Sequence, residues 1–226
     1  MSELWLLLLP LAITSAITPT KTFALILLFR SDRGALTGAA FVAGFSGALL
    51  AQGAILALVF TLFGVFAAPG REAAQTVSFA LLMAMGLLML AGALKLLFQE
   101  QDDDRPPPSW MEGIEAFTPR KAVSLGFGWA FVSPKQWVFT LATISILYAA
   151  NLGQVRAFAN YAVFVAIATS TLWLLVLVDA LFGERIKPTL DRLFMWLKRN
   201  VRTLVIGLLL VFGVYFFLSG VMGLAA

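Results

Sequence analysis

Long apolar stretches separated by short polar connections make up most of the chain, and six of them stand out at residues 4–29, 36–66, 73–98, 122–150, 158–182 and 201–224. Crossing ~30 Å of hydrocarbon takes ~20 helical residues, a length every stretch meets. The second stretch is long enough to tilt or to hold a turn near its end. No strand-length alternation competes, and a closed barrel would need many more segments. The pattern therefore predicts an all-α polytopic membrane protein with six transmembrane helices.

The connections carry a charge bias that sets the topology. Arg30, Arg33, Lys95, Arg105, Arg120, Lys121, Arg185, Lys187, Arg192, Lys198, Arg199 and Arg202 all fall on one side, against Arg71 and Arg156 on the other. Positive residues stay with the cytoplasm, so both termini are expected outside it. Three spans, a polar connection and three more spans form the pattern of an internal repeat. An odd number of spans per half inverts the second half relative to the first, a design found among secondary transporters. The expected units are a first three-helix repeat at 1–98, a cytoplasmic linker at 99–120 and a second three-helix repeat at 121–226.

Two prolines interrupt this pattern at the same place in each half. Ile17-Thr18-Pro19-Thr20-Lys21-Thr22 lies inside the first stretch and Val132-Ser133-Pro134-Lys135-Gln136 inside the fourth. Proline removes a backbone donor and crowds the preceding turn, so broken helices are expected in spans 1 and 4. Each break brings a lysine to a depth where charge is costly and marks a functional site by default. Half-helix N-termini favour anions. Two such ends, with Lys21 and Lys135, suit a carboxylate, phosphate or sulfate, and Thr18, Thr20, Ser133 and Gln136 add hydrogen-bonding capacity. The plain alternative is a pair of packing kinks whose hydroxyls bond to the preceding turn. Lys135 sits near mid-membrane, too deep to snorkel unless the helix boundary lies where it brings the residue outward, whereas Lys21 is close enough to Arg30 for snorkelling to stay open.

Further polar positions qualify this picture. Gln52, the strongly polar residue of the second stretch, either bonds across to a broken helix or joins the site. Around it, Gly34, Gly38, Gly44, Gly47 and Gly53 alternate with Ala40, Ala43, Ala48 and Ala51, which reads chiefly as close helix packing. Asp179 lies near the cytoplasmic end of the fifth stretch, where pairing with Arg185 competes with a role in coupling. In the linker, residues 99–108 read as solvated chain rich in Asp and Pro. Residues 109–117 read as a short interfacial helix, with Thr118 as an N-cap before Pro119. Residues 186–202 alternate apolar and basic positions and read as an amphipathic helix on anionic lipid.

Composition narrows the chemistry. Hydrophobic residues make up 61% of the 226 positions and charged ones 12%, far from soluble usage. The net charge of +4 follows the loops and therefore reflects topology, with no nucleic-acid partner expected. The chain has no cysteine and no histidine, which removes thiol redox chemistry, Cys-ligated metals and imidazole relays. With one acid inside a span, a two-carboxylate hydrolytic site is not expected. Gly126-Phe127-Gly128 lacks the lysine spacing of a phosphate loop. No enzyme activity, cofactor or metal is expected.

An ordered series of short motifs then carries a resemblance over nearly the whole chain. It comprises Ile17-Thr18-Pro19, Phe29-Arg30-Ser31 with Gly34, Pro108-Ser109-Trp110-Met111, Thr118-Pro119, Leu125-Gly126-Phe127, Ser133-Pro134-Lys135, Leu190-Asp191-Arg192-Leu193 and Trp196-Leu197. In these the chain resembles the Gap-like (Sap) family, the glycolipid-addressing proteins of bacterial membranes, within the lysine exporter superfamily. Ser133-Pro134-Lys135 is similar to that superfamily's Asn-Pro-Lys, with Ser133 in place of Asn. The resemblance implies six helices in a three-plus-three inverted fold, a bacterial inner-membrane location and an export or lipid-addressing role. The chain departs from it in two places. The second stretch has no Asp of the kind amino-acid exporters carry, and Arg199-Asn200 has no preceding His. The thiol-reducing branch needs cysteines and is eliminated.

The expected function is an inner-membrane exporter or flippase for an anionic or amphipathic lipid-like substrate. The site would comprise Thr18, Pro19, Thr20, Lys21, Gln52, Ser133, Pro134, Lys135 and Gln136, with Asp179 as the coupling candidate. Membrane lipids are the expected partners, and an oligomer stays open. Export of a small solute such as an amino acid or ion, or a non-transporting lipid-addressing scaffold, remain alternatives.

Overall fold

The computed structural model describes residues 2–17, 19–31, 33–62, 71–98 and 117–225. Thr18, the segment at 99–116 with most of the expected interfacial helix, and the end of the second stretch lie outside the described residues. The described residues are helical throughout, joined by short turns, with no strand among them.

The helices are α1 (Ser2–Ala16), α2 (Pro19–Leu28), α3 (Gly34–Leu62), α4 (Arg71–Phe98), α5 (Pro119–Val132), α6 (Pro134–Ala149), α7 (Gln154–Phe182) and α8 (Lys187–Ala225). Proline chemistry explains two of the junctions. α1 and α2 meet at a bend of 46° before Pro19, and α5 gives way to α6 at Ser133, which caps α6 with Pro134 at its first turn. At the start of α5, the Thr118 hydroxyl accepts the Lys121 N–H at 3.5 Å with Pro119 next to it, as the sequence predicts.

Among the described residues, α3, α7 and residues 202–225 of α8 are long and apolar enough to cross a membrane, and the bent α1–α2 pair makes a fourth candidate span. Residues 82–98 of α4 form a shorter apolar helix. The described residues are thus all-helical, with three to four candidate membrane spans among them, as suits a membrane protein.

One expected boundary is absent. Residues 186–202 are not a separate surface helix, because α8 runs unbroken from Lys187 to Ala225. After Pro188 no proline interrupts it. At ~1.5 Å per residue its 39 residues extend about 58 Å, well beyond the hydrocarbon. Its first half is tied to the end of α2 by Arg30 Nη2 donating to Asp191 Oδ1 at 2.8 Å, and Leu190 is buried beside α2.

Close helix approach organises the interior. α3 packs along α5 and α4 along α8, while α1 lies against α7, α2 against α8 and α6 against α4. At the α3–α5 contact two glycines answer each other. A Cβ at Gly44 would meet the Val123 carbonyl, and one at Gly126 would meet the Phe41 carbonyl. The small-residue stripe of α3 is a packing surface at this point.

The buried apolar residues form two clusters. One gathers Leu8 and Leu11 of α1, Phe45 and Leu49 of α3, Phe139 and Leu147 of α6, and Phe164 of α7. The other gathers Leu25 and Leu28 of α2, Phe41 of α3, Ala122 of α5, Leu172 of α7 and Leu190 of α8. The Pro19 break falls between the clusters, since α1 serves the first and α2 the second, whereas the Ser133 break lies within the first, with Ala130 and Phe139 on either side of it.

Candidate functional site

Each proline in the membrane leaves a carbonyl four residues back without its helical donor. Buried carbonyls must find other donors. For Pro19 that carbonyl is Ser15 O, and the Lys21 ammonium donates to it at 2.7 Å. For Pro134 it is Ala130 O, and Gln52 Nε2 donates to it at 3.0 Å. For Pro10, inside α1, it is Leu6 O, which accepts the Tyr215 hydroxyl at 3.0 Å. The break at Ser133 also frees Phe131 O, which accepts the Trp137 indole N–H at 2.6 Å. Side chains thus replace the missing backbone donors.

Lys21 is 1% exposed, so it does not snorkel to an interface. Its Nζ also lies 4.5 Å from the centre of the Phe45 ring, a cation–π distance. Folding back onto Ser15 O is shorter than reaching the surface, and it satisfies both the ammonium and the orphaned carbonyl. Lys135 differs. Its side chain is exposed, with Nζ 5.7 Å from the Phe139 ring, and no hydrogen bond holds it among the described residues.

The two breaks wall one cavity of about 230 Å³. Pro19, Thr20 and Lys21 line it from one side, and Ser133, Lys135 and Gln136 from the other. Thr14 of α1, Trp129 of α5, Met89 of α4 and Leu209 of α8 contribute to the wall. Two cations and no carboxylate line it, so it is electropositive in a surrounding of low polarity. Gln136 is 4% exposed, and its Oε1 has no hydrogen-bond partner among the described residues. A buried acceptor of this kind calls for a donor from elsewhere. Thr20 and Ser133 line the same cavity.

Three expected site residues lie off the cavity wall. Pro134 makes the break without lining the cavity. Gln52 takes the bonding role across to the broken helix. Its Oε1 accepts the Thr140 hydroxyl at 3.2 Å, and Tyr161, 3.5 Å from that hydroxyl, donates to Leu49 O at 2.6 Å. Asp179 is buried in the last turn of α7, where its carbonyl accepts the Gly183 N–H, and it is not among the lining residues. Thr14, Trp129, Met89 and the α8 residues carry no sequence signal for this role, since each sits in an ordinary apolar run. Tyr161 is likewise silent in the sequence.

A family model described as Sap, sulfolipid-1-addressing protein, matches residues 8–222. No curated protein and no solved structure matches the chain.

Proposed function

Because the chain belongs to the Sap, sulfolipid-1-addressing protein, family, we propose that it moves an anionic or amphipathic lipid-like substrate across the bacterial inner membrane, as a carrier and not as an enzyme. The observation that carries this reading is the joining of both proline breaks around one cavity lined by Lys21 and Lys135 and by no carboxylate. An anionic headgroup would take its charge from Lys135 and hydrogen bonds from Thr20 and Ser133. The attraction between a lysine and an anion is stronger in surroundings of low dielectric than in bulk water.

The carrier is proposed as six spans in two inverted three-helix repeats, at 1–98 and 121–226, of the lysine exporter superfamily. In this scheme α4 and the α5–α6 pair complete the spans, and both termini lie outside the cytoplasm. The packing supports it. Exchanging α1 with α5, α2 with α6, α3 with α7 and α4 with α8 turns the α3–α5 contact into α7–α1 and the α4–α6 contact into α8–α2. All four contacts occur, and α3–α7 and α4–α8 map onto themselves. Rocking of one repeat against the other would open the cavity to each side in turn. Asp179 stays the candidate for coupling, outside the cavity.

The small volume also favours a second reading, export of a small anion or amino acid. Flux across reconstituted vesicles separates them. An anionic fluorescent lipid should cross in vesicles holding the wild type, and Lys135→Ala should slow it by about ten- to a hundredfold, as expected for losing a charged hydrogen bond. Equal flux of anionic and zwitterionic lipids, unaffected by Lys135→Ala, would refute the proposal. Flux of a small anion alone would select the second reading.

A further inference from the structure

A larger cavity lies elsewhere, between the second half of α3, the end of α6 and the start of α7. It measures about 670 Å³, within the range of ligand sites. We infer that this groove binds one acyl chain of a membrane lipid, apart from the cavity at the helix breaks.

The chemistry of the wall selects the occupant. Polar side chains do border the groove, but the protein already satisfies those within it. The Thr61 hydroxyl donates to Ala57 O at 2.8 Å and the Tyr148 hydroxyl to the same carbonyl at 2.9 Å, with the two hydroxyls 3.0 Å apart. Tyr161 turns its hydroxyl away to Leu49 O and leaves its ring toward the groove, beside Gly53, where a Cβ would collide with that ring. Nothing polar inside the groove calls for a partner, so its occupant is apolar.

The surroundings say where it comes from. Leu58 and Phe158 line the groove and are also 58% and 60% exposed, so its wall continues into the lipid-facing surfaces of α3 and α7. At the turn between α6 and α7, exposed Asn151 and Gln154 supply the polar end. A groove that is apolar within, open along hydrocarbon and polar at one end matches an acyl chain and the start of its headgroup. Such a chain gains burial per methylene as it enters.

Photolabelling tests this with the full-length protein in nanodiscs of phosphatidylcholine and phosphatidylglycerol. A trace of phosphatidylcholine with a diazirine near the end of its acyl chain serves as the probe. Label should concentrate on 53–61 and 144–161, over the equally apolar exposed face of α7 at Leu174 and Leu177. Ala57→Trp fills the groove from α3 and Ala157→Phe from α7. In folded protein, each should cut labelling there about tenfold, the loss expected for excluding a few methylenes. Lys135→Ala should leave it unchanged, which separates this site from the one at the breaks. Label spread evenly over all exposed apolar faces overturns the inference. So does label that survives both filling substitutions, or that disappears with Lys135→Ala.

Discussion

Gln52 Nε2 donates to the Ala130 carbonyl at 3.0 Å, and that carbonyl lacks a backbone donor because Pro134 follows it by four residues. A helix break on one element is therefore completed by a side chain from another. The bond is buried, since Gln52 is 0% exposed, so its loss leaves an unsatisfied carbonyl away from water. The cost follows from that.

Gln52→Leu should destabilise the protein by about 1–3 kcal/mol, the penalty for an orphaned buried polar group. Pro134→Ala restores the missing N–H, so the double variant should recover much of the loss. A thermal-melt double-mutant cycle in detergent measures the coupling. Additive losses would contradict the pairing.

The two lysines should separate under substitution. Lys21→Met removes the donor to Ser15 O and should lower stability by about 1–3 kcal/mol. Lys135→Met removes an exposed side chain without a hydrogen-bond partner among the described residues, and should change stability by no more than about 0.5 kcal/mol. Melting both variants side by side checks this, and equal losses would count against it.

Gly44→Ala and Gly126→Ala each push a methyl into a facing backbone carbonyl, which cannot yield as a side chain would. Each should cost about 1–3 kcal/mol, typical of overpacking. Gly47→Ala is the control on the same helix, because nothing lies within 4 Å of its Cβ position, and replacing a helical glycine there should be neutral or stabilising. Thermal melts that rank Gly47→Ala with the other two would contradict the α3–α5 contact.

The Arg30–Asp191 ion pair joins α2 to the long α8, but its side chains are 41% and 57% exposed. Asp191→Asn should therefore cost no more than about 1 kcal/mol. Its effect should shrink further in high salt, which melts at two ionic strengths would show.

The membrane class and the breaks at Pro19 and Pro134 are legible in the sequence because hydropathy and proline chemistry act locally. Lys21 is not. Its distance from Arg30 leaves a path to the interface open, and only the fold shows Ser15 O and the Phe45 ring as nearer partners. The extent of α8 is hidden for a related reason. Its basic first half and apolar second half differ in composition, yet nothing in the backbone separates them. Gln52 was visible as an odd polar residue, while its choice between cavity and carbonyl depended on which helix faced it. The cavity wall from Thr14, Met89 and Leu209 depends wholly on tertiary packing.

The central claim is that the cavity between the two breaks is a substrate site reached from both sides. The absence of native cysteine makes a single-cysteine test clean. Ser133→Cys lines the cavity and is read in sealed vesicles with a membrane-impermeant thiol reagent added from either side. The account predicts labelling from both sides, slowed by an anionic substrate and unaffected by a neutral one. Labelling from neither side, or from one side alone with and without substrate, would contradict it.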